Sequence, residues 1–294
     1  MERVRAEVKS TPCARPARVL AIALLLAGGA AAAPVRVVSQ TVGTDEALLA
    51  VARPDEIAAL SPLAHDPEFS AVAKESAGYP VLRVGGDAES VLRFRPTVVL
   101  CADYSRIELV SQLRTAGVRV LVFDRYATLA DAYDMLRRIA AELGGGAPAR
   151  ASAVIADCQR RVAALQRRLA GVKPVRVLTP STYGLVPGEG TTFEDLCEHA
   201  GAINLAASLG HLRGNAPPPG EQLLTWPVDK LVLGGSSMAA SLAPFRALPP
   251  YAYMASVREG RAVLLPPWVL GCVSYRRVDG YYFLARALHP GRVP

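Results

Sequence analysis

Between residues 35 and 123, apolar positions fall in short β-branched runs at 35–38, 57–60, 97–101 and 118–123. Helix-forming stretches separate them at 44–51, 89–94 and 107–116, with Thr44 the expected cap of the first. Pro96 ends the second stretch and Gly117 the third, because neither residue extends a helix well. Strands alternating with helices in this way predict an α/β fold built on parallel sheet.

The pattern then changes. Leu129, Ala132, Tyr133, Leu136, Ile139, Ala140 and Leu143 recur at helical spacing, opened by a capping pair of Thr128 and Asp131 and stopped by three glycines at 144–146. A second helical stretch carries Val154, Cys158, Val162, Leu165 and Leu169 and ends at Gly171. No strand separates these two helices, and after them the order of the first half returns. Residues 175–178 echo 35–38, and 192–196 open a helix much as 44–48 do. Glu221, Pro227 and an apolar run at 231–233 follow in the order of Glu89, Pro96 and 98–100. The reading is two Rossmann-like α/β lobes with a ligand cleft between them, since ligands favour the carboxyl ends of parallel strands and domain interfaces.

The chain has 294 residues and a net charge of +7. Arg3, Arg5, Lys9, Arg15 and Arg18 outweigh Glu2 and Glu7, so the first 33 residues hold +3 and only +4 is spread over the rest. Those remaining charges are interspersed, which argues against nucleic acid as a partner. Basic residues, an apolar stretch at 19–26 and small residues at 27–33 follow one another in the order of a secretory signal peptide. An uncleaved anchor is the alternative. Cys13 precedes the apolar part, so no lipid-modified cysteine is expected at the cleavage region. Export leaves Cys101, Cys158, Cys197 and Cys272 in an oxidising space. One disulfide is expected, between Cys197 and Cys272 of the C-terminal half, with buried free thiols as the alternative.

The segment from Glu89 through Arg93, Arg95 and Pro96 to the apolar strand ending at Leu100 resembles the substrate-binding proteins of ABC importers for cobalamin, ferric siderophores and haem. Arg95 stands where that family usually has Lys, and Thr97 where it has Asp. A second likeness lies in Gly188 to Leu196, followed by Gly201 and Asn204. The resemblance covers the chain from Val35 to about Leu288. It implies one long helix joining the lobes, matched by 128–144, with the first lobe at 34–127, the second at 145–294 and the leader at 1–33. It also implies modest closure on ligand binding, a periplasmic monomer, no resident cofactor, and permease subunits of an importer as partners. Glu89 and Glu221, one per lobe, are the implied docking residues. The structural alternative is that both are helix-start glutamates favoured by the helix dipole.

The ligand site is expected on loops that follow strands: Thr41, His65, Tyr104, Arg106, Arg125 and Tyr126 in the first lobe, and Tyr183, Trp226 and Trp268 in the second. Aromatic faces suit a planar or macrocyclic chelate, and arginines suit its carboxylates or phosphates. His65, or Tyr183 as a phenolate, is of a type that ligates haem iron. No dedicated free-metal site is expected, because His199, His211 and His289 lack ligand spacing. An exported enzyme is the rival reading, but residues 234–237 do not form a G-x-S-x-G elbow and no other pattern supplies a catalytic triad. A binding protein serving a sensor or an outer-membrane system is the other.

Overall fold

The computed structural model describes Met1 and residues 34–293. The expected leader falls on residues outside that range.

Two four-stranded parallel sheets form the scaffold. The first contains β1 (Val37–Ser39), β2 (Ile57–Ala59), β3 (Val98–Ala102) and β4 (Arg119–Phe123), in the order β2-β1-β3-β4. All five residues of β3 are buried, which accounts for its unbroken apolar sequence. Its helices are α1 (Val42–Val51), α2 (Ala88–Leu92) and α3 (Ile107–Thr115). Two longer helices follow, α4 (Leu129–Leu143) and α5 (Ala147–Leu169).

The second half continues with β5 (Val175–Leu178), β6 (Val186–Pro187), α6 (Thr192–Ala200), β7 (Ala202–Asn204), α7 (Leu205–Ser208), β8 (Asn215–Ala216), β9 (Lys230–Gly234), α8 (Met238–Ala247), α9 (Ala255–Arg258), β10 (Ala262–Leu265) and α10 (Arg277–Leu288). Its parallel sheet runs β7-β5-β9-β10, and β6 pairs with β8 as a small antiparallel ribbon. Position by position, this order repeats that of the first sheet, so the sequence echo corresponds to a repeated topology.

Local capping sets the helix starts. In α1 the N-cap is Thr41, whose hydroxyl accepts from the Thr44 backbone N–H while Thr44 reaches back to Thr41. The helix thus begins before the expected 44–51, and Thr44 is the third helical residue instead of the cap. Thr128 and Asp131 form the expected reciprocal box at α4.

The interlobe link is a helical pair. α4, inside the expected 128–144 segment, packs against α1 and α5. α5 spans 23 residues, about 34 Å of rise. It touches α1 of the first half and α6 and α10 of the second. Arg150 donates to the Val51 carbonyl at 2.7 Å near one end, and the Tyr282 hydroxyl donates to the Arg161 carbonyl at 2.8 Å further along. One core runs through both halves, including Val37, Leu48 and Leu100, then Leu136 and Ile155, then Phe193 and Tyr281. Each such side chain contributes about 1.5–3 kcal/mol on burial. Prising the halves apart would expose many of them.

The expected Cys197–Cys272 disulfide is not formed; Cys101, Cys158, Cys197 and Cys272 are all free and buried. Cys197 faces the core from α6, while the Cys272 thiol points to the Glu46 carboxylate at 3.7 Å. Burial pushes both thiols well above their ordinary range, so neither is a ready thiolate. Membership in the same half of the chain was the only ground for pairing them, and it does not bring them together.

Candidate functional site

The carboxyl ends of β1 to β4 open into three adjoining chambers of ≈ 300, ≈ 350 and ≈ 430 Å³. The first is walled by the first lobe, with Thr41, Arg83, Tyr104 and Arg106 on its surface. The second shares Thr41 and Tyr104 and gains Gly271 and Val273 from the second lobe. The third sets Arg125 and Tyr126 opposite Thr191, Thr192 and Asn215, again with Val273. Val273 therefore sits where two chambers meet, and the trough runs between the lobes as the α/β architecture anticipates.

Five residues expected to face ligand come together here. Thr41 is both the α1 cap and a chamber wall. Tyr104 follows β3 and remains 66% exposed. Its ring meets that of Tyr126 edge-on, with centroids 6.2 Å apart and planes at 78°. The Tyr126 hydroxyl donates to Asp103 Oδ1 at 3.2 Å. Arg106 is anchored by donation to the Gly86 carbonyl, and Arg125 pairs with Asp131 at 3.0 Å. Loss of water contact pushes the Tyr104 phenol above its ordinary range. The same effect and the nearby Asp103 carboxylate raise that of Tyr126. Both are neutral hydroxyls at neutral pH, able to donate or accept.

Four expected residues do not line these chambers. The His65 ring nitrogen is engaged by the Ser76 carbonyl at 2.8 Å. Tyr183 follows β5 but stands 93% exposed on a turn braced by Ser181. Trp226 is 6% exposed and belongs to the core of the second lobe, where its ring covers Gly210. Trp268 meets Phe283 edge-on at 6.1 Å and lines a separate cavity with Arg161, Asp279 and Tyr282. Arg83 and Val273, by contrast, were not expected. Arg83 follows a single bridge between Val81 and Leu60 that extends the β2 edge. A loop-after-strand rule would have found it had that one-residue pairing been visible.

Glu89 and Glu221 are both exposed. Glu89 lies in the first turn of α2, ahead of β3, and is paired with Arg93 at 3.0 Å. Glu221 lies in the 3-10 turn Gly220–Thr225, ahead of β9. β3 and β9 hold matching places in their sheets, so the two glutamates are topological equivalents. Among the described residues, no group of three or more His, Cys, Asp or Glu could hold a metal ion, and no helix is long and apolar enough to cross a membrane.

Two similar parallel sheets, a helical connection and a trough between the lobes define the architecture of a bilobal binding protein. The family model for periplasmic binding proteins matches residues 37–268, and the chain belongs to that family. Among solved structures, it is similar to the apo periplasmic heme-binding protein RhuT from Roseiflexus sp. RS-1, at 22% identity and a TM-score of 0.74, over 88% of this chain and 100% of that one. A periplasmic heme-binding protein from Pseudomonas aeruginosa shares 25% identity at a TM-score of 0.73, over 88% and 94% of the two chains. Helicobacter pylori CeuE with Ni(II) bound shares 17% at 0.68, over 88% and 85%. No curated protein sequence gives a significant match.

Proposed function

We propose that this chain is exported to the periplasm, captures a metal chelate between its lobes as a monomer, and hands it to the permease subunits of an ABC importer. Haem is the first ligand to test. Solved relatives are described as heme-binding, but the observation that carries the reading is internal. Tyr104 and Tyr126 form an edge-to-face pair in a trough flanked by Arg83, Arg106 and Arg125. Aromatic surface suits a flat macrocycle and guanidinium groups suit its acidic edge. Tyr104, shared by two chambers, is our choice of iron-facing hydroxyl. The family is one of binding proteins, and we assign the cleft no catalytic group.

The protein lacking residues 1–33 should give a haemin complex with a defined absorption band, and Tyr104→Phe should change that band and weaken binding. Cobalamin and a ferric siderophore, titrated in parallel, test the other chelates. Binding of none of the three would sink the chelate assignment. For delivery, we propose Glu89 and Glu221 as docking charges, which set orientation at little cost to the fold. Glu89→Arg with Glu221→Arg should abolish uptake in cells and leave ligand affinity intact.

A further inference from the structure

Arg277 opens α10 and is 3% exposed, yet it faces none of the chambers. Its guanidinium donates through Nη1 to the Ala127 carbonyl at 2.8 Å and to Asp195 Oδ2 at 3.0 Å. Through Nη2 it donates to the Tyr126 carbonyl at 2.6 Å. Asp195, on α6, also accepts from the Leu129 backbone N–H at 3.2 Å and from the buried Tyr281 hydroxyl. Tyr281 in turn stacks on His199, with ring centroids 4.4 Å apart. A cluster rooted in the second lobe thus closes around residues 126–129, which carry the chain from β4 of the first lobe into α4.

Those residues include a wall of the trough. Two consecutive carbonyls held by one rigid guanidinium fix the orientation of the peptide planes on the C-terminal side of Tyr126. That restricts where the Tyr126 side chain departs from the backbone. A planar fork does this; a lysine ammonium, a single flexible point charge, cannot hold the same acceptors in the same geometry. Burying a guanidinium is costly, the more so with Nε left without a partner, so a charged residue here implies a task that an apolar one would not perform. We propose that Arg277 is a positioning residue for ligand binding, setting Tyr126 in the trough from the opposite lobe. The proposal rests on the chelate reading only for its affinity arm.

Two measurements test it. In the first, fluorotyrosine is incorporated throughout and the Tyr126 resonance is identified by its loss in Tyr126→Phe. In folded Arg277→Lys and Arg277→Gln the Tyr126 resonance should shift or broaden, while that of exposed Tyr183 stays in place. An unchanged Tyr126 resonance in either folded variant overturns the proposal, whatever the ligand. The second is a double-mutant cycle read as haemin Kd. Tyr126→Ala and Arg277→Lys should each weaken binding by about tenfold, and the double variant should be little worse than either. If the two effects multiply in full, Arg277 acts by another route and the proposal fails. If Tyr126→Ala leaves haemin binding unchanged while the resonance moves, the role of Tyr126 in the chelate reading fails and the structural coupling stands.

Discussion

Two buried polar clusters cross between the lobes, and they differ in kind. At Arg277 and Asp195, a cation meets an anion, both guanidinium Nη groups and both carboxylate oxygens are bonded, Arg277 Nε alone is left without a partner, and both side chains are at most a few per cent exposed. At the start of α1, two neighbouring carboxylates, Asp45 and Glu46, are buried mainly against neutral donors. Asp45 accepts from the Ser61 N–H at 3.0 Å and from its hydroxyl at 2.5 Å. Glu46 accepts from the Ala71 N–H at 3.0 Å, from the Ser274 hydroxyl and from the Cys272 thiol. Burial pushes Asp45 up to about 7 and raises Glu46 in the same direction. One cluster is an ion pair of opposite charges, and the other is a protonation-dependent contact beneath Val273. Each sits under a different stretch of the same trough.

The largest expected effect comes from breaking the ion pair. Arg277→Met leaves Asp195 charged and uncompensated in the interior, at a cost of about 3–5 kcal/mol. Glu46→Gln keeps one carbonyl oxygen for the Ala71 N–H, turns its amide N–H toward the Ser274 hydroxyl oxygen, and should cost about 1 kcal/mol. Urea unfolding at pH 7 measures both; equal losses would erase the distinction between the clusters.

Next is a steric test on the α1 side. A Cβ on Gly43 would lie 2.2 Å from Val273 Cγ2, so Gly43→Ala must displace the Val273 side chain. Overpacking of this kind costs about 1–3 kcal/mol. Because Val273 joins two chambers, haemin affinity should fall along with the melting temperature. A stability loss with unchanged affinity would mean that Val273 does not shape the site.

The protonation test is finer still. With its folded value raised from 3.8 to about 7, the Asp45 contribution to stability is fully present below pH 3.8 and is lost as pH rises through about 7. The melting temperature should therefore decline between pH 5 and pH 8. Asp45→Asn should melt near the wild type at pH 5 and above it at pH 8, with Glu46 preserving part of the slope. An undiminished slope in Asp45→Asn assigns the effect to other groups.

What could be read from sequence follows from how local each feature is. The alternation of strands and helices in the first half and the Thr128–Asp131 box were legible because each depends on neighbours within a few residues. Thr41, Tyr104, Arg106, Arg125 and Tyr126 were found by their places just after strands. Trp226 passed the same test on type alone, yet its ring turns into the core; nothing local says which way a loop aromatic faces. Asp45 and Glu46 look like ordinary acids in a first helical turn, and only tertiary packing buries them. Arg277 and Asp195 lie 82 residues apart on two helices, and no spacing rule joins them.

The smallest effect on stability is expected at Arg125, an exposed arginine next to Tyr126 in the chain. Arg125 also pairs with an aspartate, Asp131 Oδ1 at 3.0 Å, but in contact with solvent. The other oxygen of Asp131 accepts from the Thr128 N–H and hydroxyl, each at 2.9 Å, so the α4 cap survives without Arg125. A pair whose arginine is mostly in water contributes about 0–1 kcal/mol, and Arg125→Ala should lose no more than that in urea. Its guanidinium nevertheless lines the chamber shared with Tyr126. Haemin binding should weaken several-fold at low salt, by an amount that shrinks as ionic strength rises, because exposed charges are screened. Arg277→Lys should instead weaken binding by a salt-independent factor, since its effect runs through geometry. Two arginines, one beside Tyr126 in the chain and the other bonded to its carbonyl from 151 residues away, would then act on one ligand by separable means, one through its charge in the trough and the other through the backbone it holds.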